Sequence, residues 1–351
     1  ETQGTVDGAL TIGLLWLDHC RQQFAARGVV EGLKLIVPAG CSAVVRERMA
    51  HLDRNAARFE LWEVNEREDA IRGLDTGDRG NIATRLVRCP DEAAARERFR
   101  ESAARVRELA PDADVVVLDS SEVAFRLRGL EFARARQAPR SGSFQNVAEV
   151  TFGVGRYEAI LNDDNADDFA GFVRTLAAKR RPEGLREHAL WRMQPERWLE
   201  SLVVQNVAAL DSRFDAGAVY SQVPAFAASD RAMIDVLTVT RDGQLAVLEL
   251  KADEDIHLPL QGLDYWARVN WHHQRGEFQR FGYFPGRELS SAPPALLLVA
   301  PALHVHPATD ALLRYLSPEI DCALLGIDER WREGVRVIFR KRRALAADSR
   351  G

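Results

Sequence analysis

The sequence predicts an α/β protein in two parts, and three observations carry that reading. Behind residue 195, stretches with helical apolar spacing alternate with short β-type runs, as a layered α/β architecture requires. An Asp242-Gly243 dipeptide between two apolar runs marks a hairpin. A basic and polar stretch from Ala177 to Arg192, broken by Pro182 and Gly184, separates two patterned regions. A boundary is therefore expected at 180–194, between a front domain 1–180 and a rear domain 195–343.

In the rear part, Pro195 sits at a first helical position, and Leu199, Val203, Val204 and Val207 recur at helical spacing up to Leu210. Strands are expected over Ala218–Phe226, Ala232–Thr240 and Gln244–Lys251. A helix follows over Leu258–His273, a buried strand over Ala295–Ala300, and a helix over Ala308–Leu316. Strands over Ala323–Ile327 and Val335–Arg340 close the order α-β-β-β-α-β-α-β-β. The front part mixes α and β as well. Its strand candidates are Leu33–Val37, Phe59–Val64, Val115–Leu118 and Ala148–Phe152, and its most helical stretch is Asp91–Leu109.

An internal echo links the two parts. Leu33-Lys-Leu-Ile-Val-Pro38 resembles Leu296-Leu-Leu-Val-Ala-Pro301, and Phe59–Arg67 falls on Cys322–Arg330 without a gap at the same offset of 263. Leu52 and Leu316 match one step out of phase. Two explanations stand: the shared composition of any two β-α-β units, or a decayed copy of the second half of the rear fold. A copy would lack chemistry, because no Asp…Glu-x-Lys set precedes residue 33.

Composition is that of an ordinary globular chain: 351 residues, 46% hydrophobic and 28% charged, with a net charge of −5. The negative balance argues against histone-like coating of nucleic acid and leaves room for a locally basic groove. The clusters Lys179-Arg180-Arg181 and Arg340-Lys341-Arg342-Arg343 read as a solvated linker and tail. Cys20, Cys41, Cys89 and Cys322 are scattered without a CxxC pair, which disfavours structural zinc and a disulfide framework and suits a reducing cytoplasm. The apolar run Ala9–Leu17 is too short to span a membrane and reads as core, so no membrane partner is expected. The chain opens on Glu1, as a trimmed start would.

The chemistry sits in the string from Ile234 to Lys251. Strand alternation puts Glu249 and Lys251 on one face, and Asp235 can approach them across the hairpin. Three charged side chains within apolar strands are costly unless paired or holding a metal. Two hard carboxylates can hold Mg²⁺ or Mn²⁺, and a lysine beside them can polarise an attacking water and offset transition-state charge in phosphodiester hydrolysis. Glu-Leu-Lys by itself would be an ordinary surface hairpin with an ion pair; the Asp fourteen residues earlier makes the set specific. Glu200 on the preceding helix adds to it, with Glu196 one turn earlier read as an exposed charge. Gln261 and Tyr265, i and i+4 on the following helix, complete the run.

That run resembles the RecB-like branch of the PD-(D/E)XK nucleases over residues 195–340: a helix Glu, a strand Asp, Glu-x-Lys, and Gln-x-x-x-Tyr on the next helix. It is similar to the carboxy-terminal domain of two-domain DNA repair endonucleases that cut at mismatches or branch points. Ile234 stands where the family name has Pro. The resemblance implies a restriction-endonuclease-like mixed sheet flanked by helices. It further implies a metal held by Asp235 and Glu249 with Glu200 and the Leu250 carbonyl, a catalytic Lys251, and orienting or backbone-touching roles for Gln261 and Tyr265.

Past Tyr265, the residues Trp266, Arg268, Trp271, His272, His273, Arg275 and Arg280 carry two readings of equal weight. Arg268, Trp271, Arg275 and Arg280 could stack bases and hold phosphates, or Trp266 packs the core while the rest finish a helix. His257 lies near the Glu-x-Lys strand, and His304 and His306 at a strand end read as loop hydration. Gly153-Val-Gly155 lacks a dinucleotide setting, and neither a P-loop nor a G-x-S-x-G elbow is present. The expectation is a magnesium-dependent endonuclease acting on nucleic acid, DNA before RNA, with a homodimer natural if both strands are cut. Its rivals are a catalytically silent nucleic-acid-binding module and an RNA-cleaving enzyme.

Overall fold

Helix α1 (Thr2–Phe24) buries Leu10, Leu14 and Leu17 along one stripe, so one face of the run Ala9–Leu17 is core while Ile12 and Trp16 on the other face are exposed. The computed structural model describes residues 2–80, 82–139, 146–155, 157–227 and 233–342. Among them no helix is long and apolar enough to cross a membrane. After α1 come β1 (Gly32–Pro38), α2 (Ala43–Met49), β2 (Arg58–Asn65) and β3 (Ala70–Leu74), whose strands form a three-stranded sheet, followed by β4 (Thr84–Leu86).

The stretch Asp91–Leu109 is helical as expected but breaks at Phe99 into α3 (Glu92–Arg98) and α4 (Arg100–Leu109); Asp91 caps the first by accepting from the Ala94 N–H at 3.0 Å. An antiparallel five-stranded meander follows: β5 (Asp114–Asp119), β6 (Glu122–Leu127), β7 (Leu130–Pro139), β8 (Asn146–Val154) and β9 (Tyr157–Ile160). Helices α5 (Ala166–Lys179) and α6 (Ala189–Arg192) lead out of it. Phe125, Phe132 and Phe169 centre a core that the meander shares with α4 and α5.

The rear part contains α7 (Pro195–Gln205), β10 (Phe214–Ala227), β11 (Met233–Thr240), β12 (Leu245–Leu250), α8 (Leu258–Gln274), α9 (Glu277–Arg280), β13 (Ala295–Pro301), α10 (Thr309–Leu313), β14 (Cys322–Ile327) and β15 (Val337–Arg342). This is the expected order with one short helix added. The sheet runs β15-β14-β13-β12-β11-β10-β4, with β12, β13 and β14 mutually parallel and antiparallel partners at both flanks. Helices cover both faces, so β12, β13 and β14 are buried along their whole length, as central parallel strands require. The protein is thus a mixed α/β chain with three open sheets flanked by helices.

Burial draws the parts differently from a cut at 180–194. Residues of α1, β1, α2 and β2 belong to the same apolar cluster as α8, β12 and β13, and β4 adds a strand to the rear sheet. The meander is the segment with a separate core. Nor is the basic stretch behind α5 a solvated linker. Arg180 is fully buried, and its guanidinium donates at 2.6–3.4 Å to the carbonyls of Leu127, Arg128, Leu190, Met193 and Gln194. It also lies over the Trp198 ring at 4.8 Å. The β6–β7 turn presses on the start of α7 so closely that a Cβ on Gly129 (φ +76°) would stand 1.8 Å from the Arg197 carbonyl oxygen. The second basic cluster belongs to strand β15, where Arg340 pairs with Asp211 and Lys341 with Asp310; Arg343 lies outside the described residues.

The echo at offset 263 is a correspondence of register. In the front sheet Leu33 faces Phe59, and in the rear sheet Leu296 faces Cys322, both parallel and both 26 residues apart. Each pair continues into an antiparallel third strand, β3 or β15. Helices α1 and α2 flank the front unit as α8 and α10 flank the rear one, and they cross over: α1 packs on α10 and α2 on α8. Leu52 and Leu316, the pair one step out of phase, meet in an antiparallel bridge. Ion pairs Arg48–Asp264 (2.8 Å) and Arg314–Asp18 (2.8 Å) join the units in both directions. What the front unit lacks is the counterpart of β12 and α7. Its Ile36, at the position of the buried Val299, is 56% exposed.

Candidate active site at the end of strand β12

Strands β11 and β12 pair with Val236 opposite Leu248, which carries Asp235 to a place beside Glu249. The two carboxyls lie in direct contact, close enough to share a proton. They do not point to opposite sides of the sheet. Glu249 is 2% exposed, and burial followed by the Asp235 charge hold its carboxyl well above the usual range. Burial also raises Asp235, although the Leu250 N–H donates to its Oδ2 at 3.1 Å. Lys251, where the strand ends, reaches Glu249 Oε1 and Asp255 Oδ2 at 3.5 Å each. Burial lowers the Lys251 pKa, but the surrounding carboxylates outweigh it and the ammonium is held above its ordinary value.

Helix α8 lies against this strand because residue 262 is glycine. A Cβ there would stand 2.5 Å from Leu298 Cδ2 and 3.6 Å from Glu249 Cβ. That close approach brings Tyr265 to the carboxylates: it is pushed well above its usual range, by burial and then by Glu249 and Asp235. Arg268, one turn on, lies 5.9 Å from the Tyr265 ring.

From α7, Glu200 reaches the same place and is 4% exposed. Its Oε2 accepts from Arg197 at 2.8 Å and from Gln222 at 2.7 Å, and burial raises its pKa against those partners. Gln222 adopts a left-handed conformation (φ +52°) on β10, between residues in register with Val236 and Ile234, and so stands beside Asp235. Arg126 of the meander also feels the Glu200 charge. A cavity of about 1060 Å³ lies on the meander side of Glu200, lined by Arg126, Arg134, Arg197, Glu200 and Gln222; Asp235, Glu249 and Lys251 are not part of its wall.

The structure brings together five of the expected catalytic residues, Asp235, Glu249, Lys251, Glu200 and Tyr265; Gln261 lies one turn before Tyr265 on α8, its amide oxygen buried without a hydrogen-bond partner. The structure adds Arg197, Gln222 and Gly262, which sequence reasoning missed. Arg197 was within reach as the i−3 neighbour of Glu200, whereas Gln222 depends on strand register. The expected metal set is narrower in the fold. Among the described residues no group of three His, Cys, Asp or Glu side chains is placed to hold an ion. Glu200 is engaged by Arg197 and Gln222, which leaves the Asp235–Glu249 pair. That pair suits a hard divalent cation: the carboxylates touch, and Glu249 Oε2 has no hydrogen-bond partner. The amide oxygens of Gln222 and Gln261, also buried, lack partners too.

Of the four expected nucleic-acid contacts the structure corrects one, Arg268, and leaves Trp271, Arg275 and Arg280 at the surface. Arg268 is 9% exposed, packed between α8 and α2 near Glu47, and offers no surface to a phosphate. Trp271 lies ten residues beyond Gln261, about 15 Å along the helix. There Arg275 stacks on its ring at 3.3 Å, and Arg280 pairs with Glu277 at 3.1 Å. Trp266 packs in the core and donates to the Pro294 carbonyl at 2.6 Å. Buried His272 bonds Glu277 and Thr84, and His257 bonds Thr11 of α1 at 3.0 Å. His304 lies 3.6 Å from Glu329 and 4.0 Å from Asp253, and His306 3.7 Å from Glu254, across loops at the strand ends.

No protein-family model matches this chain, and no curated protein proves similar to it.

Proposed function

We propose that the chain is a metal-dependent nuclease of the PD-(D/E)XK type that hydrolyses phosphodiester bonds in DNA, with Mg²⁺ or Mn²⁺ held by Asp235 and Glu249 in a restriction-endonuclease-like rear sheet. The observation that carries this reading is the buried Glu249 carboxyl set against the half-buried Asp235 carboxyl beside Lys251 at a strand end, with one Glu249 oxygen unpartnered. Two carboxyls in contact inside a protein repel unless a proton or a cation lies between them. Bound there, a divalent ion would lower the pKa of a coordinated water and neutralise developing charge on the phosphate.

The remaining roles fall to this chain's own groups. The Lys251 ammonium orients the attacking water and offsets negative charge as the bond breaks. The Tyr265 hydroxyl and the Gln261 amide fix the approach of the scissile phosphate. Arg197 and Gln222 hold Glu200 still.

One observation favours the rival reading of a silent binding module: Glu200 is tied to Arg197 and Gln222 rather than free. Incubating supercoiled plasmid and matched DNA and RNA oligonucleotides with Mg²⁺ or Mn²⁺ decides between them. Cleavage by the wild type and a loss of about 10³-fold or more in Asp235→Ala are expected, since metal and preorganised charge supply several kcal/mol of stabilisation. Binding without cutting at any metal concentration would establish the silent module, and cleavage confined to RNA would move the substrate class.

A further inference from the structure

We infer that the front β1-α2-β2-β3 unit closes, within one chain, the helical face through which two copies of the rear unit would pair, so that the protein works as a monomer and breaks one strand per encounter. This rests on the nuclease reading for its strand count, and on geometry alone for its pairing.

The front and rear units share strand register, third-strand hairpin and flanking helices. Their contact has the form of an isologous interface, in which each unit offers the other its equivalent surface. Helix α1 packs on α10 while α2 packs on α8, and Leu52 meets Leu316 near the axis relating them. The Asp53 N–H donates to the Tyr315 carbonyl and the Ser317 N–H to the His51 carbonyl, both at 2.8 Å, so the bridge is bonded on either side. Arg48 donates to both Asp264 carboxylate oxygens at 2.8 and 2.9 Å. A homodimer would build such a contact between two catalytic units. Here one partner is a unit without the Asp-bearing hairpin, and the rear unit's α8 and α10 are already covered. The pseudo-dimer holds one catalytic centre, and a second chain cannot use the same face.

Three measurements on the full chain test this. Light-scattering mass across micromolar concentrations is expected to give the 39.2 kDa monomer; a stable dimer overturns the inference. A Leu52→Cys, Leu316→Cys variant, compared with wild type under oxidation, is expected to form an intrachain cross-link, because an antiparallel pair flanked by bonds brings Cα atoms to about 4.5 Å, within disulfide range. A disulfide-linked dimer, or no cross-link, refutes the pairing in cis. On supercoiled plasmid the first product is expected to be the nicked circle, with linear DNA appearing only through later independent cuts; linear DNA as the first product refutes single-strand action. Absence of all cleavage would count against the catalytic assignment, while mass and cross-link still read the pairing.

Discussion

Replacing Arg180 by methionine tests how the meander is joined to the catalytic sheet. The guanidinium donates six hydrogen bonds to five carbonyls, two from the β6–β7 turn and three from residues 190–194 leading into α7. Methionine fills much of the volume and offers no donor. The Gln194 carbonyl keeps the Trp198 N–H at 3.3 Å, so four carbonyls lose their donor, at a cost of about 4 kcal/mol taking the low end of about 1–3 kcal/mol apiece. Against this, burial and then the Arg332 and Arg128 charges lower the Arg180 pKa from 12.5 to about 10. Removing the buried charge therefore relieves about 3 kcal/mol at 1.36 kcal/mol per unit. The net loss is about 1 kcal/mol, read as a shift in the urea midpoint, with meander and rear sheet separating into two transitions. Arg180→Lys, with three donors at one point, should fall between. A single transition with an unchanged midpoint in Arg180→Met would show that the segment is only a tether.

Gly262→Ala puts a methyl 2.5 Å from Leu298 Cδ2, so α8 must lift; a stability loss of about 1–3 kcal/mol is expected, with cleavage reduced further than stability alone explains. Burial, aided by Arg79, lowers the pKa of His51 from 6.5 to about 4, and His51 packs edge-on to Trp266. The folded state then binds fewer protons than the unfolded chain between those values, so stability is retained above pH 6.5 and lost as pH falls towards 4. Between pH 7.5 and 5 this group's contribution falls by about 2 kcal/mol, and denaturation of His51→Leu should show that slope flattened. Trp271→Ala and Arg275→Ala, at the far end of α8, should change cleavage by less than about threefold, because stacked surface groups contribute little to a distant site; a loss like that of Asp235→Ala would show that bound DNA runs along that helix.

Local pattern was enough for much of this protein. Strand alternation put Glu249 and Lys251 at one strand end, the Asp-Gly turn brought Asp235 alongside, and a four-residue helical step joined Gln261 to Tyr265. The offset of 263 read from two short strings reappeared as identical strand register, because a parallel β-α-β unit fixes register through the length of its connection. What periodicity could not reveal was which charges are buried and what they meet. Arg180 and Arg268 resemble solvated cations in sequence and are core groups in the fold; Glu200 resembles a free ligand and is held by a strand residue 22 positions away. The front helices gave no sign that they complete the rear core rather than one of their own. Spacing along the chain determines the face a side chain occupies, while burial and partners depend on contacts between distant segments, and only the tertiary structure contains those.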